Sequence, residues 1–233
     1  DYNKELKNVI NSFLSPDTVF KDDVNAYYRP LNRITYVLEY YLFGSNAKWA
    51  HLLNVIIHVL NTVMLYRFSK LLFKEKFISL FASLLFLAHP VNAEAVNFIS
   101  ARNTLLSTSF FLLSCLCYVA GFDKKKVVKY IWAAVFVFLG LLCKETALMA
   151  VPLLFLFKWP SSFSFKGILA TRATPFIIFF LPIAAYLCLR FYVLSGLIHN
   201  LSGGKTVFER VFDNVYILPK YLSLLVLPFD LQC

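Results

Sequence analysis

Apolar runs separated by short polar stretches organise the chain, at roughly 50–69, 76–89, 103–121, 127–143, 146–158, 174–195 and 213–229. A helix that spans a bilayer needs about 20 mostly apolar residues. The second and fifth runs fall short of that and are candidates for re-entrant segments. The loops argue otherwise. Arg67, Lys70, Lys74 and Lys76 lie between the first two runs, Lys124, Lys125, Lys126 and Lys129 between the third and fourth, and Lys158, Lys166 and Arg172 between the fifth and sixth. Loops 90–102, 144–145 and 196–212 are poorer in basic residues. Basic loops stay cytoplasmic, and this every-second-loop rhythm survives only if both short runs cross. The pattern predicts an all-α membrane protein with about seven transmembrane helices and residues 1–48 outside the cytoplasm.

Within that first stretch, Leu31, Ile34, Val37, Leu38, Tyr41 and Leu42 recur at helical spacing, leaving Arg33, Glu39 and Tyr40 on other faces. Such a pattern predicts an amphipathic helix in the membrane interface, stopped by Gly44 and Ser45. The division expected is an extracytoplasmic first loop over 1–48 and a transmembrane helical domain over 49–233, incomplete at both ends.

Composition supports the membrane reading. The chain is 59% hydrophobic and only 15% charged, where a soluble domain is nearer a quarter charged. Its net charge of +10 sits in clusters between apolar runs, which is a topology signal rather than a nucleic-acid-binding stripe. Cys115, Cys117, Cys143 and Cys188 lie inside apolar runs without a CxxC pair, so they read as small buried hydrophobes.

Topology sorts the polar motifs by side. Asp22-Asp23 with Tyr28-Arg29-Pro30-Leu31, His89-Pro90-Val91-Asn92-Ala93-Glu94 with Arg102-Asn103, and Cys143-Lys144-Glu145-Thr146 all fall on the non-cytoplasmic face. Arg190 lies near that end of the sixth run. Each has a structural alternative. The Asp pair is equally a solvated loop, His89 a helix end forced by Pro90, and Lys144 and Glu145 a self-paired turn. Arg190 is harder to dismiss, because a guanidinium among apolar residues needs a partner. In the first run, His51, Asn54, His58 and Asn61 share one helical face opposite Leu53, Ile56, Val59 and Leu60. Interhelical hydrogen bonding accounts for the last three, while His51 is placed to join a site. No carboxylate or thiolate stands at a spacing that would make this a zinc site.

Acids and bases gathered at a membrane surface suit a lipid-linked phosphate sugar. Arg and Lys bind the phosphate, and a carboxylate acts as general base or holds a divalent cation. No Walker loop, GxSxG elbow or HExxH is present, leaving ATPase, serine hydrolase and metalloprotease readings without support.

Tyr28-Arg29-Pro30-Leu31, His51-Leu52-Leu53-Asn54 with His58, His89-Pro90-x-x-x-Glu94-Ala95-Val96, Arg102-Asn103-x-Leu105-Leu106-Ser107 and Cys143-Lys144-Glu145 follow one another in order. Together they resemble the membrane domain of the transmembrane and tetratricopeptide-repeat O-mannosyltransferases and their bacterial relatives. The resemblance implies a C-type glycosyltransferase fold, a polyprenyl- or dolichyl-phosphate donor, and a protein hydroxyl acceptor on the periplasmic or lumenal side. It implies a first helix and the first Asp of an Asp-Asp pair ahead of Asp1, and tetratricopeptide repeats after residue 233. Asp1 then matches the second acid of that pair and becomes the candidate base, with Asp22 or Asp23 as nearby alternatives. His89 and Glu94 are expected in the same cavity, and Arg102, Lys144 and Arg190 are expected to contact the lipid phosphate. Arg29 is expected to fix the first loop, or secondarily to bind phosphate. The competing expectation is a non-catalytic membrane subunit that keeps the fold and docks partners in a complex. A lipid or ion transporter ranks last, for want of an inverted repeat.

Overall fold

The computed structural model describes residues 28–124, 127–156 and 178–193. Asp1, Asp22, Asp23, the Lys125–Lys126 pair and the run at 213–229 lie outside the described residues. Among the described residues every regular element is helical.

Helix α1 (Pro30–Phe43) opens with proline at its first position, where a missing N–H costs nothing. It stops at Gly44, whose φ of 67° suits a residue without a Cβ, and whose N–H donates to the Tyr40 carbonyl at 2.9 Å. Asn46 then caps α2 (Ala47–Phe73), its side chain accepting from the Lys48 N–H at 3.0 Å. Lys74, with a left-handed φ of 59°, ends that helix. Helix α3 (Lys76–Ala88) ends at His89, held extended ahead of Pro90. Two 3-10 turns (Pro90–Asn92, Ile99–Ala101) flank the short α4 (Ala93–Asn97) and lead into α5 (Arg102–Lys124). Helix α6 (Val127–Cys143) is followed by a 3-10 turn (Glu145–Met149) and α7 (Ala150–Leu156). The last described helix, α8, covers Ile178–Val193.

The amphipathic pattern of α1 forms the expected helix, with its polar side turned to the protein. Asn32 is buried, Tyr36 donates to the Ile99 carbonyl at 2.6 Å, and Glu39 reaches Arg102. Leu38, Tyr41 and Leu42 are exposed, as an apolar stripe turned toward lipid would be.

Seven crossings are not clearly seen among the described residues. Among the described residues two helices are long and apolar enough to cross, α2 and the segment Ile99–Gly121. A third crossing results if α3 and the Pro90–Asn97 segment, bent by 50°, act as one broken span. The physical reason is length. At about 1.5 Å per residue, the 13 residues of α3 reach only about 20 Å, short of a hydrocarbon core of about 30 Å. Beyond α6, the run expected at 146–158 is a 3-10 turn and a short helix within its described part.

Packing follows small residues. Buried Ser79 and Ser83 on α3 return their hydroxyls to their own helix, at Glu75 and Leu80, leaving a low surface against α2. Helices α5 and α6 make the most extensive contact, through Cys115, Ala133, Ala134 and Val137. Gly140 allows the closest approach. A Cβ there would stand 2.8 Å from the Ala147 Cβ and 3.3 Å from that of Phe110. Cys115 and Cys143 are buried as expected, whereas Cys188 is exposed on α8.

Candidate functional site

The polar stripe of α2 is spent on the helices beside it. Asn54 donates to the Val96 and Phe98 carbonyls at 3.3 and 3.2 Å. His58 meets the Leu87 carbonyl at 3.2 Å and packs on the Phe86 ring. Asn61 donates to the Leu105 carbonyl at 2.9 Å and accepts from Ser109 at 2.6 Å. His51 is exposed at the start of α2. The stripe thus ties α3, the irregular 89–101 segment and α5 to α2.

Arg102 is enclosed by partners of its own. Its side chain is fully buried. Nε donates to Asn54 Oδ1 at 3.0 Å, Nη2 to the Ala50 carbonyl at 3.3 Å, and Nη1 pairs with Glu39. The guanidinium carbon lies 4.5 Å from the centre of the Tyr36 ring. With every face occupied, this arginine ties α1, α2 and α5 together. Removing one member of such a buried pair typically costs about 3–5 kcal/mol, because the other charge is left uncompensated.

A second polar group gathers at the same ends of α1, α5, α6 and α8, and it is only half buried. Lys144 is extended between α6 and the following 3-10 turn, with its N–H donating to the Gly140 carbonyl at 2.9 Å. That turn sends successive side chains to different partners. Lys144 Nζ donates to Thr104 Oγ1 at 2.7 Å, on α5. Glu145 takes Arg29 on Oε2 at 3.2 Å and Arg190 on Oε1 at 2.8 Å. Arg190 also donates to the Tyr186 hydroxyl at 3.0 Å, one turn back on α8. Lys144 and Glu145 are therefore not the self-paired turn that their adjacency allowed.

Charge leaves its mark on these groups. Burial opposes the charged form of Glu145, but a backbone hydrogen bond and the Arg29 and Arg190 guanidiniums outweigh it and hold the carboxyl below its ordinary range. Burial lowers the pKa of the Lys144 ammonium and Arg29 adds repulsion, only partly offset by Glu145 and Glu94. Among the described residues three cations thus gather about Glu145, and the carboxylates near Lys144 only partly offset its burial and the Arg29 charge. An incoming anion would complete the offset.

Of the residues singled out in the sequence, Lys144 and Arg190 stand in this cluster, and Arg29 joins them. Glu94, exposed in the first turn of α4, lies close enough for its charge to act on Lys144. His89 ends α3, and its Nδ1 accepts from the Val91 N–H at 3.2 Å. That bond leaves the ring proton on Nε2. Arg102 stands apart, enclosed by its own partners. Sequence reading passed over Thr104, Tyr186, Glu39 and the bridging role of Glu145. Among the described residues no three His, Cys, Asp or Glu side chains converge as metal ligands.

The profile of a family described as dolichyl-phosphate-mannose-protein mannosyltransferase matches residues 32–188. Similar proteins include the protein O-mannosyl-transferase TMTC3 of Homo sapiens, 37% identical over 53% of this chain and 14% of that protein. The protein O-mannosyl-transferase tmtc2 of Xenopus laevis is 43% identical over 40% of this chain and 11% of its own length. The Caenorhabditis elegans protein O-mannosyl-transferase F38B6.6 is 34% identical over 54% of this chain and 18% of its own. The chain therefore spans less than a fifth of the length of these relatives. No solved structure matches.

Proposed function

This chain belongs to the dolichyl-phosphate-mannose-protein mannosyltransferase family, and on that premise we propose that it is part of a membrane glycosyltransferase. The reaction moves a mannose-like sugar from a polyprenyl- or dolichyl-phosphate donor to protein hydroxyls. The membrane is that of the endoplasmic reticulum or the bacterial inner membrane, and transfer takes place on the lumenal or periplasmic side. The fold is of the C-type glycosyltransferase kind.

The observation that supports this reading is the half-buried group of Arg29, Lys144 and Arg190 around Glu145. In the proposed reaction the acceptor oxygen attacks the anomeric carbon. The bond from that carbon to the phosphate oxygen breaks, and the lipid phosphate leaves with the electron pair. Positive side chains near the departing phosphate stabilise the charge it gains. The acceptor's proton passes to a carboxylate, for which Asp1 is the first choice and Glu94, facing the cluster from α4, the second. His89 is assigned to the same cavity, offering a ring N–H from Nε2. Arg102, spent on Glu39 and Asn54, is assigned to holding the 89–102 segment in register with α2 rather than to the phosphate.

The test uses the full-length protein in membranes and measures mannose transfer from a dolichyl-phosphate donor. A charged hydrogen bond to phosphate is worth about 1.5–3 kcal/mol, so Lys144→Ala and Arg190→Ala are expected to lower kcat/KM roughly 10- to 100-fold. Glu94→Ala should also lower it. Wild-type turnover in all three variants would remove the site assignment. No turnover in the wild-type protein, with intact assembly into a larger complex, would favour the non-catalytic subunit.

A further inference from the structure

At the opposite end of the bundle from the Lys144 cluster lies a cavity of about 600 Å³. Its wall is apolar, made by Leu71 of α2, Leu116, Cys117 and Ala120 of α5. Its rim is basic, made by Arg67 and Lys70 of α2 and Lys129 of α6. Lys129 of the rim and Lys144 of the cluster are 15 residues apart along α6 and its end, a rise of about 22 Å. The two polar regions are therefore separated by most of a hydrocarbon core.

The three rim cations are exposed, and among the described residues no acidic side chain pairs with any of them. Glu75, close to Lys70 in the chain, forms no ion pair either. Basic residues at a cytoplasmic helix end fulfil the topology rule from anywhere on the surface. Here they surround one hollow, with Arg67 and Lys70 on neighbouring positions of the same helical face. The cavity falls within the size range of small-ligand sites. Leu71 of the wall is exposed, as are Val127, Val128 and Ile131 on the helix that carries Lys129.

We propose that this cavity is a binding site for an anionic phospholipid of the membrane leaflet opposite the transfer site. The phosphate and any further headgroup charge sit among Arg67, Lys70 and Lys129. The glycerol backbone and first methylenes fill the wall between Leu71 and Leu116, and the acyl chains run along the exposed apolar faces of α2 and α6. Charge complementarity selects the anionic headgroup, and the apolar wall selects a lipid over a free phosphate. The site is independent of the glycosyl-transfer reading, and its failure would leave that reading untouched.

The full-length protein in neutral detergent is titrated with phosphatidylserine or phosphatidylcholine of identical acyl chains, and bound lipid is counted by native mass spectrometry. Wild type is expected to prefer phosphatidylserine. Each neutralised rim charge should cost roughly fivefold in that affinity, and the Arg67→Gln, Lys70→Gln, Lys129→Gln triple variant roughly 100-fold. A control of equal charge loss, Lys48→Gln, Lys74→Gln, Lys76→Gln, should keep the preference. Ala120→Trp, which fills the hollow with the charges intact, should lose phosphatidylserine as the triple variant does. Equal affinity for the two lipids, wild-type binding in the rim triple variant or in Ala120→Trp, or an equal loss in the control would each overturn the proposal.

Discussion

Lys144 carries the clearest consequence at the scale of single residues. Its pKa is lowered first by burial and then by Arg29, so the folded chain binds this proton less tightly than the unfolded one. The charged form therefore costs stability while the pH is below the folded pKa. That cost is relieved as the pH rises toward the ordinary lysine value. The proposed function runs the other way, because a lysine that is to bind phosphate must be charged. The kcat/KM for the lipid-phosphate donor should thus fall on the alkaline side, beginning below the ordinary lysine range. Lys144→Arg keeps a cation that does not titrate in this range and should move that limb upward, even if the guanidinium lowers the plateau. An alkaline limb unmoved in this variant would assign the titration to another group. Glu145 has the opposite sign. Its lowered pKa contributes stability that is fully present above the unfolded carboxylate value and lost as pH falls through the folded one. The Arg29–Glu145–Arg190 bridge should accordingly hold at every neutral and mildly acidic pH.

Among the elements, the turn after α6 depends on Gly140. Any side chain there meets Ala147 at 2.8 Å, and Ala147 is fixed by the 3-10 turn that begins at Glu145. Gly140→Ala should cost about 1–3 kcal/mol in overpacking and push the turn away from α5, stretching the 2.7 Å bond between Lys144 and Thr104. The proposed mannose transfer should drop in this variant although every charged residue is retained. Unchanged transfer together with unchanged thermal stability would show that the turn gives way freely. Such dependence is the kind of relation that one sequence does not display. Periodicity revealed the polar stripe of α2 and the amphipathic α1, because both are properties of a single helix. It also located Lys144 and Arg190, since charges in apolar surroundings stand out. It missed Glu145 as the bridge, because Arg29 and Arg190 lie 116 and 45 residues from it and meet only through helix packing. Arg102 misled for a related reason. Its motif announced importance, but the acid that neutralises it, Glu39, belongs to the polar face of a different helix.

For the whole molecule, the useful property is that charge is sorted between two ends of the bundle. One end collects Arg29, Glu94, Lys144, Glu145 and Arg190, and the other Arg67, Lys70, Lys74, Lys76 and Lys129. Helix α6, with Lys129 near its start and Lys144 just past its end, holds these ends about 22 Å apart, most of a hydrocarbon core. The positive-inside rule would put the basic end in the cytoplasm and the mixed end, where the transfer site is proposed, outside it. This assignment can be read chemically in sealed vesicles of known orientation. In a Cys188→Ser background, which removes the exposed native thiol on α8, Thr146→Cys should react with an impermeant maleimide only from the lumenal or periplasmic side. Lys74→Cys should react only from the cytoplasmic side. Labelling of both from one side would mean that the bundle does not cross between them, and the proposed donor site and the proposed lipid site would then share a leaflet. Opposite labelling would have a consequence for mechanism. The transfer site would draw its lipid phosphate from one leaflet while the basic rim holds anionic lipid in the other, so the two ligands would not compete for one supply of headgroups.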